Sequence, residues 1–232
     1  VASQPPSNEA FLREVDDELR RDQLAGFWKR WGIAVAIAVL VGLVAFGGWL
    51  WWQHEQTKKN DVLGEQMTQI LTDLEAGKEQ GAEARLKPLL ESGNPGYRST
   101  ARFTIAGLKL RKNDIAGAAA DFKAVADDAE APKPFRDLAL VRQTATEYDS
   151  LKPEVIIARL QPLAQKGNPW FGSAGEMVAV AHMKMNKPDL AGPLFAEISK
   201  DKGVPETIRS RAVQMAGVLG VDAVDQSTGE GK

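Results

Sequence analysis

The 232-residue chain has no cysteine, and it has only two histidines, His54 and His182. Without thiols it can have no disulfide framework, cysteine-based zinc site, iron–sulfur cluster or thiol nucleophile. Two histidines cannot build a multi-histidine metal centre. A basic excess is missing as well, with 29 Lys and Arg against 31 Asp and Glu. The imbalance is small on either side of residue 53: five basic against six acidic residues before it, 24 against 25 from there on. Nucleic-acid binders draw their affinity from neutralising phosphates and show such an excess, so no nucleic-acid partner is expected. The most informative absence is local. Residues 31–53 contain no charged residue, although 26% of the chain is charged.

What fills that gap is WGIAVAIAVLVGLVAFGGWLWW, 22 residues from Trp31 to Trp52. As a helix it spans roughly 33 Å, enough for a bilayer core. A buried core helix seldom runs this long without a polar residue. Trp28, Lys29, Arg30 and Trp31 stand at one boundary and Trp49, Trp51 and Trp52 at the other, as membrane-interface residues would. Thirty residues precede the run and no small-residue cleavage site follows it, which argues against a cleaved signal peptide. Arg13, Arg20, Arg21, Lys29 and Arg30 lie before it, against Lys58 and Lys59 shortly after. This bias predicts a cytoplasmic N-terminus and a body outside the cytoplasm, in the periplasm of a bacterium. The expected organisation is a charged cytoplasmic helix over 1–30 with Ser7 or Asn8 as N-cap, a transmembrane helix over 31–53, a periplasmic repeat domain over 54–220 and a flexible tail over 221–232.

The body is duplicated. RLKPLLESGNPGY at 85–97 matches RLQPLAQKGNPWF at 159–171 in seven positions at an offset of 74, and 122–139 aligns with 195–212 at an offset of 73. Apolar spacing and Gly/Pro breakers predict nine helices, at about 63–77, 82–92, 96–112, 114–129, 133–149, 153–166, 169–186, 189–201 and 205–219. No stretch alternates with the period of a strand. Four helices in about 73 residues make two pairs, each near the 34-residue period of tetratricopeptide repeats. Ala106, Ala118, Phe122 and Val125 recur as Ala179, Ala191, Phe195 and Ile198, the small and large positions by which such pairs pack. The fold class is therefore all-α: one transmembrane helix followed by a degenerate tetratricopeptide-like solenoid.

FLREVDDELRRDQL, then WKRWG leading into a single span, WWQ at its far side and a body of degenerate helical repeats: this combination resembles the YfgM-type family, an ancillary subunit of the bacterial SecYEG translocon. The resemblance implies an inner-membrane protein whose partners are translocon subunits and periplasmic chaperones, including a prolyl-isomerase-like protein, and a role in handling exported proteins. A repeat scaffold for envelope assembly or cell division, without translocon contact, stays open as an alternative. So does an enzyme whose acidic pair only the fold would assemble.

No catalytic constellation is visible, and no cofactor, metal or small-molecule substrate is expected. His54-Glu55 is followed by Lys58 where a zinc-binding H-E-x-x-H would need its second histidine. His182 has no acid or nucleophile fixed beside it and reads as a satisfied or surface histidine. In tetratricopeptide arrays the first helix of each pair lines the binding face. Alignment on Ala106 and Ala179 places Thr100, Phe103, Leu110 and Arg111 there from one unit, and Glu176, Val180, Met183 and Lys184 from the other. The competing expectation is that Phe103, Val180 and Leu110 are covered by adjoining helices.

Overall fold

The computed structural model describes the backbone over residues 8–223 and the side chains from residue 29 onward. Ser7, the side chain of Trp28 and residues 224–232 lie outside the described residues, and with them the readings made at those positions. The described chain is helical throughout, with no strand: α1 Asn8–Glu75, α2 Ala82–Leu90, α3 Pro95–Arg111, α4 Ile115–Ala126, α5 Lys133–Glu147, α6 Pro153–Leu160, α7 Phe171–Lys184, α8 Pro188–Lys200 and α9 Glu206–Val218. Contacts divide it into two units, Val1–Asp61 and Val62–Lys232. The boundary expected at 53/54 and this one at 61/62 both fall within α1.

In the first unit α1 carries the apolar run. Its most apolar window has a mean hydropathy of 2.5 and none of it is buried. A core helix, by contrast, is covered by its own protein. Trp31, Trp49, Trp51 and Trp52 are exposed, as are Lys29 and Arg30. So many exposed apolar side chains in water would form a patch far beyond what a soluble monomer carries. α1 is long and apolar enough to cross a membrane. The charged leading helix, expected as a separate element, is continuous with it, as is the first body helix, which has no proline back to the apolar run. The chain has no proline between Pro6 and Pro88, so nothing breaks the hydrogen-bond ladder.

In the second unit the helices form pairs: the end of α1 with α2, then α3 with α4, α5 with α6, and α7 with α8. First helices also touch first helices, α3 with α5, α5 with α7 and α7 with α9, which is how stacked pairs bury one continuous core. Met67, Ile70 and Leu74 of α1 pack with Leu86 and Leu89 of α2 and with Ala101, Ile105 and Leu108 of α3. The expected packing residues hold these positions. Ala106, Ala118 and Phe122 form one buried cluster, and Ala179, Ala191, Phe195 and Ile198 belong to another.

Four first helices stop in the same way. Gly77, Asn113, Asn186 and Gly220 sit at φ 76°, 60°, 55° and 75°. In each case the next N–H reaches back to a carbonyl five residues earlier: Lys78 to Asp73 at 2.8 Å, Asp114 to Lys109 at 2.9 Å, Lys187 to His182 at 3.0 Å and Val221 to Ala216 at 2.9 Å. This is the Schellman closure, which needs a left-handed residue. Only α5 lacks it: it ends with the Ser150 and Leu151 N–H groups both on the Glu147 carbonyl. Two helix starts are capped by side chains. Asn94 Oδ1 accepts from the Gly96 N–H at 2.9 Å ahead of α3, and Asp114 Oδ1 accepts from the Gly117 N–H at 2.9 Å ahead of α4. α6 ends at Leu160 rather than at the expected 166. Two residues on, Pro162 has no N–H to continue the ladder.

The array closes at α9, which has no following helix among the described residues. Where α5 buries Val141 and Thr144, the duplicated positions of α9 hold Gln214 and Gly217, both exposed. Val221 and Ala223, expected in the flexible tail, instead pack on the cluster around Phe195, and Ser199 Oγ donates to the Ala223 carbonyl at 3.3 Å.

Two outcomes follow for urea melts of the body. Phe195 is wholly buried and Phe122 nearly so, so truncation of either to alanine should cost about 3–5 kcal/mol. Asn113→Val should cost about 1–2 kcal/mol because a branched residue must then take the left-handed conformation. Asn113→Gly should be neutral or mildly stabilising; equal losses for both would refute the role given to that conformation.

Candidate functional site

Two depressions lie on the face formed by the first helices. One, of about 420 Å³, is lined by Leu71, Leu74 and Glu75 of α1 and by Thr100, Phe103, Thr104, Gly107 and Arg111 of α3. The other, of about 320 Å³, is lined by Ala145 and Tyr148 at the end of α5 and by Glu176, Met177 and Val180 of α7. The duplication relates them. At the offset of 73, Phe103, Thr104 and Gly107 become Glu176, Met177 and Val180. Each depression therefore opens at the same place on a first helix, against the first helix of the preceding pair.

Local chemistry sets the character of the walls. Around the first depression the hydroxyls of Thr100 and Thr104 are engaged within α3, donating to the Gly96 and Thr100 carbonyls at 2.9 Å each. Phe103 is half-buried and stacks on Phe135 of α5 at 6.2 Å and packs tilted against Phe122 at 5.9 Å. This wall is apolar, with Glu75 and Arg111 as its charges. Around the second depression the Tyr148 hydroxyl donates to the Met177 carbonyl at 3.1 Å, tying α5 to α7. Burial pushes the Tyr148 phenol upward, and the neighbouring Asp149 charge adds to the rise.

The charged residues expected on this face mostly have partners in neighbouring elements. Arg111 Nε lies 3.1 Å from Glu79 in the turn after α1. Glu176 receives both arms of Arg211 of α9, at 2.8 and 2.7 Å; those hydrogen bonds, with the carboxylate charge, raise the guanidinium above its usual value. Lys184 stands 4.3 Å over the Tyr148 ring, with Asp149 3.7 Å away. These contacts stitch successive first helices together. Glu75, by contrast, has no ion pair among the described residues.

Of the eight residues expected on this face, Thr100, Phe103, Arg111, Glu176 and Val180 line the depressions. Lys184 is exposed beside the second. Leu110 and Met183, equivalent to each other, pack instead on the clusters around Phe122 and Phe195, and Val180 touches the latter as well. Sequence reasoning passed over Thr104, Gly107 and Met177, and the contributions of α1 and α5. The offset of 73, applied residue by residue, links Gly107 to Val180. Ala145 and Tyr148 had no such signal, because the end of α5 has no asparagine stop and lies beyond the matched block that stops at Ala139.

Chemistry of a catalytic kind is sparse. No group of three His, Asp, Glu or Cys residues that could hold a metal is found among the described residues. His182 is half-buried with its Nδ1 lacking a hydrogen-bond partner, and burial followed by the nearby Lys187 charge lowers its pKa. It is thus neither a satisfied nor a fully exposed histidine, and it lies outside both depressions.

No curated protein and no solved structure matches the chain. The model of the tetratricopeptide repeat-like domain family matches residues 26–191, from just before the apolar run into α8. Paired helices, first-helix stacking, small residues at the crossings and a match over this share of the sequence agree, and the chain belongs to the tetratricopeptide repeat-like domain family.

Proposed function

We propose that the protein is a membrane-anchored adaptor that holds segments of other proteins on the face formed by its first helices. The observation that carries this reading is the pair of depressions at duplicated positions of α3 and α7, in a family of protein-interaction scaffolds. The apolar part of α1 supplies the anchor, and the excess of Lys and Arg before it favours a cytoplasmic N-terminus and a repeat domain in the periplasm. The resemblance to the YfgM-type family supports the finer assignment: association with the SecYEG translocon and periplasmic chaperones, among them a prolyl-isomerase-like protein, in the handling of exported chains.

Topology is checked with fusions. A reporter active only in the periplasm should work after Lys59 and fail before Arg20; the reverse pattern would sink the assignment. The partner class is checked with a photo-crosslinking residue at Thr104 in native membranes, where translocon subunits and chaperones are the expected products. Wall-synthesis or division proteins in their place would establish the scaffold alternative, and no protein product at all would overturn the adaptor.

The two kinds of residue on α3 should separate in the same assay. Thr104→Lys places a charge in the first depression and should cut crosslinking from a probe at Val180 several-fold with little change in melting temperature. Leu110→Glu buries a charge against Ala106, Ala118 and Phe122 and should lower the melting temperature first, a loss of several kcal/mol being usual for an unpaired buried charge.

A further inference from the structure

Gly107 is a helix-interior glycine with no structural reason to be one. A Cβ built on Gly172 would meet Val204 at 2.6 Å and one on Gly192 would meet Val221 at 2.6 Å, so close packing demands those glycines. On Gly107 it would meet nothing within 4 Å, and the residue is not in a left-handed conformation. Glycine in a helix interior is about 1 kcal/mol less favourable than alanine. What the missing side chain leaves is the floor of the first depression. At the duplicated position stands Val180, and the depression there is smaller, about 320 against 420 Å³. Both fall within the roughly 300–1,000 Å³ of ligand pockets, the first with more room.

The charges around it are asymmetric. Arg111 is held by Glu79, whereas Glu75 lines the same depression with no ion pair among the described residues. The threonine hydroxyls on the wall are engaged inside α3, so the lining offers an apolar hollow beside one carboxylate that has no ion pair among the described residues.

We propose that the depression at Gly107 is a socket for one bulky apolar side chain of a partner protein, and that Glu75 selects partners with a Lys or Arg next to that side chain. This inference rests on the adaptor reading and names the chemistry of its ligand. The second depression, with its valine and its tied carboxylate, takes the rest of the segment without that charge preference.

The full chain in lipid nanodiscs is titrated with labelled short peptides carrying one central phenylalanine flanked by Lys, Gln or Glu, with anisotropy as the readout and empty nanodiscs as the control. The Lys-flanked peptide should bind about fivefold tighter than the Gln-flanked one, the scale of an exposed ion pair, with the Glu-flanked one weakest. Glu75→Gln should erase the ranking and leave the Gln-flanked affinity unchanged. Gly107→Leu puts a side chain into the hollow, where its Cβ meets nothing within 4 Å; it should weaken all three peptides about tenfold or more without lowering the melting temperature. A ranking that survives Glu75→Gln, or full affinity in Gly107→Leu, overturns the proposal. If Gly107→Leu instead dissolves a homodimer, the occupant is a second copy and the proposal is likewise wrong. Failure of every peptide to bind also overturns it, while crosslinking from Thr104 in native membranes still decides the adaptor reading separately.

Discussion

A first helix in this array that stops within a residue or two does so through a left-handed residue. Four of the five first helices stop in this way with glycine or asparagine, closed by the same hydrogen bond from the following N–H, and α5 turns without one. Once the helix is stopped at a fixed place, the second helix returns along it at alanine-lined crossings, Ala106 on Ala118 and Ala179 with Ala191. Those crossings in turn set where Phe122 and Phe195 fill the space between helices. Shifting the stop by a residue would rotate every following side chain by about 100° and would take the buried positions out of register.

The elements that sequence reasoning located well are those marked by such local chemistry. Gly93-Asn94-Pro95 and Asn113-Asp114 end and begin helices through caps and stops whose residue types are their own explanation, and the paired small and large positions were legible because the duplication printed them twice. Less legible were features that depend on neighbours in space. The continuity of α1 followed from the lack of any breaker, but helical period alone does not distinguish one long helix from three. Leu110 and Met183 face the same way as each other, which the offset shows. That this way is inward toward Phe122 and Phe195 is decided by the crossing of the next helix. α5 lines the second depression through Ala145 and Tyr148, yet its end carries neither asparagine nor glycine and lies beyond the matched block, so nothing in the chain announced where that end falls.

Duplication followed by divergence explains the two unequal hollows. The backbone positions are the same, and three substitutions along one helix face, Phe103 to Glu176, Thr104 to Met177 and Gly107 to Val180, turn an apolar wall into one crossed by an ion pair to Arg211. The site therefore changes along its length while the scaffold beneath it stays constant.

The polar ending at α9 has a bearing on assembly. An array of stacked pairs is open-ended by construction, and a last helix as apolar as α5 would offer the beginning of another copy a surface on which to continue the stack. Head-to-tail contacts of that kind do not close on themselves; they run on as filaments. With Gln214 and Gly217 in place of Val141 and Thr144, and with Val221 and Ala223 folded back over the Phe195 cluster, the chain withholds that surface.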